Sequence, residues 1–416
     1  MSEPRAIPGT RAPEAPGSAP AAPGVPAAPG TPGTSGGRRA VSRVGPLRRL
    51  RLHSGYRWRN SGNPLLTRPR TRWESRDGAA FPAVVSHMGG MSVAYAGLPE
   101  GLRYTLEFTE LQREGDGVPA AERARGTVRG HRLADPAHLP DADLVIVGTS
   151  AAKARRLPAA ASLVCPMRFH FVVDIDADAE TLHRRVSRRE RAQYLRNQRL
   201  AQWTWETEND PELFDFFYDR IYRPTMRQSH GDRERVEEKE ASHECLFRTG
   251  RLFFLRQGGA RIGGALCHWN PSAKVLTLRL FGVLDGDTEH YASGALGAVF
   301  HFLILWSAEN GVRRLNFGGT EPFLSKGTFQ WKRRFGTRIV LPPNHFGEKR
   351  LWLQVRRDSP AVRDFLVANP VLAEAPDGSL EAVYFHDRDR PARVGLSAKS
   401  PDKYPVRHVE LDAFLG

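Results

Sequence analysis

The sequence predicts a mixed α+β fold, and three stretches carry that prediction. Val275–Phe281 reads as a strand, followed by an apolar helix running through Trp306 and a second strand at Arg314–Phe317. Leu252–Arg256 and Ile262–Trp269 read as two more strands, joined by Gln257-Gly258-Gly259-Ala260, a hairpin signal. An Arg-rich helix, a strand at Trp203–Thr207 and a second helix at Leu213–Gln228 precede that hairpin.

The central stretch is Val275–Gly336. Its helix opens at Tyr291-Ala292-Ser293-Gly294-Ala295-Leu296-Gly297. A strand that feeds a helix through small residues leaves free backbone N–H groups at the positive end of the helix dipole, where phosphate is well placed. Ser293, Gly294, Ala295 and Gly297 are therefore the candidate cofactor-binding residues. Many helices start this way and bind nothing, and Gly294-x-x-Gly297 is shorter than a full dinucleotide or phosphate-loop signature.

A chain of 416 residues with 40% hydrophobic content can build two or three domains with a real core. Its 3 Cys, at 165, 245 and 267, are odd in number and far apart, so neither a disulfide framework nor a zinc site is expected. No apolar run reaches the roughly 18 residues of a membrane span, and the N-terminus has Pro and Gly where a signal peptide needs apolar residues. A cytoplasmic location is the expectation. Of the formal net charge of +15, +11 lies between Arg38 and Arg76, which hold twelve Arg and a single acid, Glu74. The remainder is only mildly basic.

Residues 1–37 are Pro, Ala, Gly, Ser and Thr and bury too little to order a backbone, so they are expected to be disordered. Residues 38–76 interleave Arg with Tyr56, Trp58 and Trp73. They read as an arm that contacts a polyanion (RNA, anionic lipid or glycan), as a solvated basic tail, or as a segment that docks its Trp residues on the domain. A first α/β unit spans 78–175, with strands expected at Ala83–Val85, Tyr104–Phe108, Leu144–Gly148 and Met167–Ile175. His170 alternates with apolar neighbours and reads as a strand residue.

The second unit spans 176–345. One helix is expected from Asp176 to Trp203, capped at Asp178 and covered with Arg. Pro211 opens the next helix, where its missing N–H needs no partner. His230–Arg248 reads as a loop or short helix over a cleft. A strand at Arg338–Leu341 closes the unit. Residues 346–416 add a strand at Leu351–Val355, a helix at Ser359–Asn369 and a loop-rich tail.

This order of elements resembles the GNAT-like acyltransferases, in the branch that holds CelD-type acetyltransferase domains and the Fem-type aminoacyl transferases. The residues that carry it are the Arg-rich helix 184–199, the hairpin with Arg261-Ile262-Gly263-Gly264-Ala265, the helix from Ser293, and the ending Phe317-Gly318-Gly319 … Phe329-Gln330-Trp331-Lys332-Arg333-Arg334-Phe335-Gly336. The likeness covers about residues 165–345. It implies a GNAT-like fold in two tandem units, the first more degenerate, and acetyl-CoA or another acyl-CoA as co-substrate with no metal. It also implies that Lys332, following an aromatic residue, lies at the active site and stabilises charge. The full glycine-rich acyl-CoA signature is missing, with only Ser293–Gly297 at the corresponding place.

Acyl transfer needs donors for the carbonyl oxygen, a route for the acceptor's proton and close positioning. Besides Lys332, Glu321 is a candidate base in the loop after Gly318-Gly319-Thr320. His268 can titrate near neutrality. Tyr291 could protonate a leaving thiolate. Three also have a plain structural reading: a basic strand entry on the surface for Lys332, a solvated acid for Glu321 and a satisfied structural histidine for His268. The acceptor is expected to be an amine or hydroxyl of a small molecule, sugar or cell-envelope precursor. Two alternatives stand beside this: a Fem-like transferase that uses aminoacyl-tRNA, and a non-catalytic module that binds an anion or nucleic acid through the Arg-rich arm.

Overall fold

A computed structural model describes residues 45–115, 122–230, 236–396 and 404–416. The expected disorder of residues 1–37 lies outside these residues. The described chain is a mixed α+β protein built on three sheets.

Two helices come first, α1 at Pro46–Asn60 and α2 at Pro64–Glu74. Both start with Pro, and Asn63 caps α2 by accepting a hydrogen bond from the Leu65 N–H. Much of the stretch read as an Arg-rich arm is thus helical. Its docking residues are Tyr56, Thr67, Arg70 and Thr71, while Trp58 and Trp73 face outward.

The first sheet uses β1 (Ala80–Met88), β2 (Met91–Gly97), β3 (Glu122–Arg129), β4 (Leu144–Ser150) and β5 (Ser162–Pro166). The second uses β6 (Phe169–Asp174), β7 (Thr204–Glu208), β8 (Arg251–Gln257), β9 (Ala260–Asn270), β10 (Val275–Val283), β11 (Arg314–Thr320) and β12 (Arg338–Val340). β13 (Lys349–Val355) then returns to the first sheet, whose order is β3-β1-β2-β4-β13-β5. The second sheet runs β12-β6-β11-β10-β9-β8-β7. So β6, from the expected first unit, sits in the second sheet, and β13, from the expected C-terminal extension, sits inside the first.

Each large sheet is antiparallel apart from one parallel pair, β2 with β4 in the first and β10 with β11 in the second. In the second sheet, the β8-β9-β10 meander, the helix Ala295–Glu309 and the parallel strand β11 follow the order that the resemblance implies. Gly258 and Gly259 take positive φ in the β8–β9 hairpin, as a tight two-residue turn requires.

Three expectations are corrected. Tyr104–Phe108 is helical, inside a run that continues to Gly115. Thr105, Leu106, Thr109, Glu110 and Arg113 are buried at helical spacing, and the alternation of Tyr104, Leu106 and Phe108 is incidental to it. The single helix expected over 176–203 is two, Ala179–Arg185 and Arg188–Ala201. Ser187 caps the second, accepting from the Glu190 N–H, so Ser187-Arg188-Arg189-Glu190 restarts the helix. The C-terminal tail holds a third sheet, β14 (Val371–Glu374), β15 (Leu380–His386) and β16 (Val406–Glu410). Its β15–β16 pair is parallel and joins distant segments, which local pattern does not show.

β13 is paired on both edges, with β4 and β5, and Trp352 at its centre is fully buried. A chain truncated after residue 345 leaves two strand edges unpaired in the middle of a sheet. We expect it to show no cooperative unfolding transition by scanning calorimetry. A cooperative melt would mean that the first sheet closes without β13.

Candidate functional site

β10 and β11 pair over three residues, Val275 with Arg314, Leu276 with Leu315 and Thr277 with Asn316. Beyond that point β10 continues to Val283 and β11 to Thr320 without pairing, and a cleft opens between them. On the other edge of β11 the pairing with β6 shifts register between Asn316 and Gly319, so the strand bulges here. Gly318 sits in the bulge at φ +74°, a conformation that favours glycine.

The bulge turns polar backbone towards cations. The Lys332 ammonium donates to the Phe317 carbonyl at 2.7 Å, and Arg168 donates to the Gly319 carbonyl at 3.2 Å. Arg168 also donates to the Tyr104 hydroxyl at 2.9 Å and stacks over that ring. The Gly318 N–H donates to the Asn316 side-chain oxygen at 2.8 Å. That bond leaves the Asn316 amide NH2 facing His170 Nδ1 at 3.0 Å. His170 Nδ1 must then accept, which places its proton on Nε2. Burial, helped by Arg168 and Lys332, holds the His170 pKa down at about 3, so the ring is neutral.

The cleft is a cavity of about 490 Å³, continuous in its lining with a second of about 330 Å³. His170, Thr277 and Arg279 line both, and Tyr56 and Asn60 of α1 form part of the wall. Arg279 donates to Asn60 Oδ1 at 3.1 Å. In the larger cavity five basic residues (Arg59, Arg70, Arg168, Arg279, Lys332) face two acids (Glu100, Glu237), which suits an anionic ligand.

The structure brings Lys332 and His268 to these adjoining cavities and places the other two candidates elsewhere. Lys332 is 7% exposed. Burial lowers its pKa to about 7, with the Arg168 charge adding to the effect and Glu321 opposing it. His268 lines the smaller cavity, its ring 5.9 Å from that of Tyr56, and burial together with Arg279 lowers its pKa. Glu321 is buried, ion-paired with Lys326 and bonded by the Thr320 hydroxyl at 2.8 Å. Burial by itself would raise its pKa, but the Lys326 and Arg168 charges override this and hold it low. It serves as a counter-charge rather than a ready proton acceptor.

Tyr291 lines a separate cavity of about 200 Å³, together with Gly294 and Gly297. Here the helix Ala295–Glu309 begins, with Gly294 at φ +87° as its N-cap. The helix Arg188–Ala201 lies across this start. Asn197 donates to the Ser293 carbonyl at 2.7 Å, and a Cβ placed on Gly297 would lie 3.2 Å from a Glu190 carboxylate oxygen. Arg334 is 3.8 Å from Glu190. A pyrophosphate at Ser293, Gly294, Ala295 and Gly297 would face that carboxylate, so these residues do not fit the phosphates of coenzyme A as they stand.

Glu74, Glu100 and His345 bring their ligating atoms within 4.8 Å of one another. The Lys349 ammonium, fully buried, lies 2.8 Å from each carboxylate and supplies the positive charge there. Among the residues that line the cleft, Arg168, Tyr104 and Arg279 carry no sequence motif. His170 and Asn316 were visible only as members of two strands that local pattern could not pair.

No family model matches the chain, and no curated protein sequence matches it. Solved structures similar to it include L-PGS from Bacillus licheniformis, at 13% identity over 77% of this chain and 95% of that one, with a TM-score of 0.35. FemX is similar at 11% identity over 74% of this chain and 96% of that one, also with a TM-score of 0.35. A GCN5-related N-acetyltransferase from Sphaerobacter thermophilus is similar at 16% over 68% and 78%, with a TM-score of 0.30. At these scores the activities of those proteins do not transfer to this chain.

The Lys332 pKa makes a prediction about stability. The unfolded lysine keeps its proton to about pH 10.4. Between about pH 7 and pH 10 the unfolded chain therefore binds more protons than the folded one, and stability rises with pH. Measured against Lys332→Met by denaturant unfolding, wild-type stability should climb through that window, by at most about 1.4 kcal/mol per pH unit, and run parallel below about pH 6. Parallel curves throughout would mean that the ammonium is solvated in the folded protein.

Proposed function

We propose that the protein is an acyltransferase that moves an acyl group from an activated ester or thioester to an amine or hydroxyl held in the β10–β11 cleft. The observation that carries this reading is the divergence of the two strands, with the His170 Nε2–H and the near-neutral Lys332 on its walls.

In the proposed reaction the acceptor nitrogen or oxygen attacks the acyl carbonyl carbon, and the carbonyl electron pair moves to oxygen. The His170 Nε2–H donates to that developing oxyanion, and the Asn316–Gly318 hydrogen bonds hold the donor in place. At neutral pH about half of Lys332 is uncharged and can take the acceptor's proton. The ammonium that forms then offsets the negative charge nearby. Collapse of the tetrahedral intermediate breaks the bond to the leaving sulfur or oxygen, which receives the proton. Arg168 and Arg279 suit phosphate or carboxylate groups on either substrate.

The resemblance implies acetyl-CoA or another acyl-CoA as donor. One observation favours aminoacyl-tRNA instead: Glu190 stands at the helix start where a pyrophosphate would bind. Transfer assays with labelled acetyl-CoA, longer acyl-CoAs and aminoacyl-tRNA, against a panel of amine and hydroxyl acceptors, separate the two. Turnover is expected with one donor class, and none with any donor would overturn the reading. Lys332→Met should lower kcat by about 10²-fold or more. His170→Phe should lower it by about 10²-fold, with partial recovery in His170→Gln, whose amide can still donate.

A further inference from the structure

The two N-terminal helices have a second face that the cleft does not use. On α1, Leu47, Leu50, Ser54 and Trp58 recur at helical spacing along one exposed side. Leu47 is 82% exposed, Leu50 65% and Trp58 47%. On α2, Leu65, Leu66, Pro69 and Trp73 form a matching stripe, with Leu65 80% and Trp73 65% exposed. Each stripe lies opposite its helix's docked side, with Tyr56 on α1 and Thr67, Arg70 and Thr71 on α2.

The orientation of α1 is anchored. Arg48 is ion-paired with Glu240, and Arg49 pairs with Glu244 at 2.9 Å, both on the helix Lys239–Cys245. These pairs turn the leucines outward. Beside the stripes stand Arg51, Arg68 and Arg72, all exposed and without an acidic partner among the described residues. From Pro46 to Trp73 there is no acidic residue at all.

We propose that these exposed stripes of α1 and α2 dock on the surface of an anionic lipid bilayer. Leucine and tryptophan side chains sink to the level of the acyl-chain boundary, and the flanking arginines meet lipid phosphates. Nucleic acid is the competing polyanion. Binding to it would use the arginines and stack bases on Trp58 and Trp73, but would leave Leu47, Leu50 and Leu65 in water. Those exposed leucines favour lipid. The inference stands on this surface and is independent of the chemistry in the cleft.

The test is flotation of the full-length protein with vesicles of phosphatidylcholine containing about one third phosphatidylglycerol, with pure phosphatidylcholine vesicles as control. We expect binding to the anionic vesicles that weakens steeply with salt, and little to the neutral ones. Replacing Leu50, Leu65 and Trp73 together by Ser should weaken binding at least tenfold, and the unchanged melting temperature of this variant would show that the surface residues are not needed for folding. Each of Arg51→Ala and Arg72→Ala should weaken it about fivefold. Arg51→Glu with Arg72→Glu is a second variant that leaves the leucines in place. Anionic-vesicle binding that persists unchanged in both multiple variants would overturn the proposal. So would tighter binding of a single-stranded RNA oligonucleotide that the Ser variant leaves intact.

Discussion

The separation of β10 from β11 after Thr277 and Asn316 is the constraint on which the site depends. A parallel pair that stayed zipped would use its backbone groups in the ladder. Here the bulge at Asn316–Gly319 takes β11 out of register, and the freed carbonyls of Phe317 and Gly319 accept from Lys332 and Arg168. A half-buried guanidinium and a buried amine are thus held by backbone oxygen rather than by carboxylates, so neither group's charge is cancelled by a paired acid. Asn316 completes the arrangement by satisfying the Gly318 N–H and fixing the tautomer of His170.

The first sheet offers a comparison within the same chain. Its parallel pair stays in register over five residues, from Val93 with Leu144 to Gly97 with Gly148. The Tyr95 ring fills the space beside it, fully buried, and a Cβ on Gly148 would fall 1.9 Å from the Tyr95 hydroxyl. Where the second sheet opens a cavity, the first packs an aromatic core. It still contributes to the site, because Glu100, Tyr104 and Phe346 reach the cleft from elements packed on it. Lys349, at the start of β13, bonds Glu74 of α2 and Glu100 together, which ties the N-terminal helices to that sheet.

The helices α1 and α2 consequently have two distinct faces. Tyr56, Asn60 and Arg70 form part of the cleft wall, while the leucines and tryptophans of the opposite sides meet solvent. Any ligand that displaced the wall would have to move the Arg48 and Arg49 ion pairs and the Arg279–Asn60 bond as well.

Much of the second sheet was legible in the sequence. The strands at 252–256, 262–269, 275–281 and 314–317, the Gly-Gly turn and the apolar helix from Ser293 are set by local periodicity and turn chemistry, which act over a few residues. Lys332 stood out through the resemblance of the ending around it, and the fold places it in the lining of the cleft. The cap at Asp178 was equally local. What only the tertiary structure decided is which elements meet. The entry of β13 into the first sheet, the third sheet in the tail, the turn of Arg-rich residues into cleft wall, and the meeting of His170 with Asn316 join positions 146 residues apart in the last case and about 200 for β13 with β4. So does the placing of Glu190 over the helix start at Gly297. Local pattern encodes the conformation of a segment, whereas a site is made by long-range pairing, whose register depends on packing of the whole core.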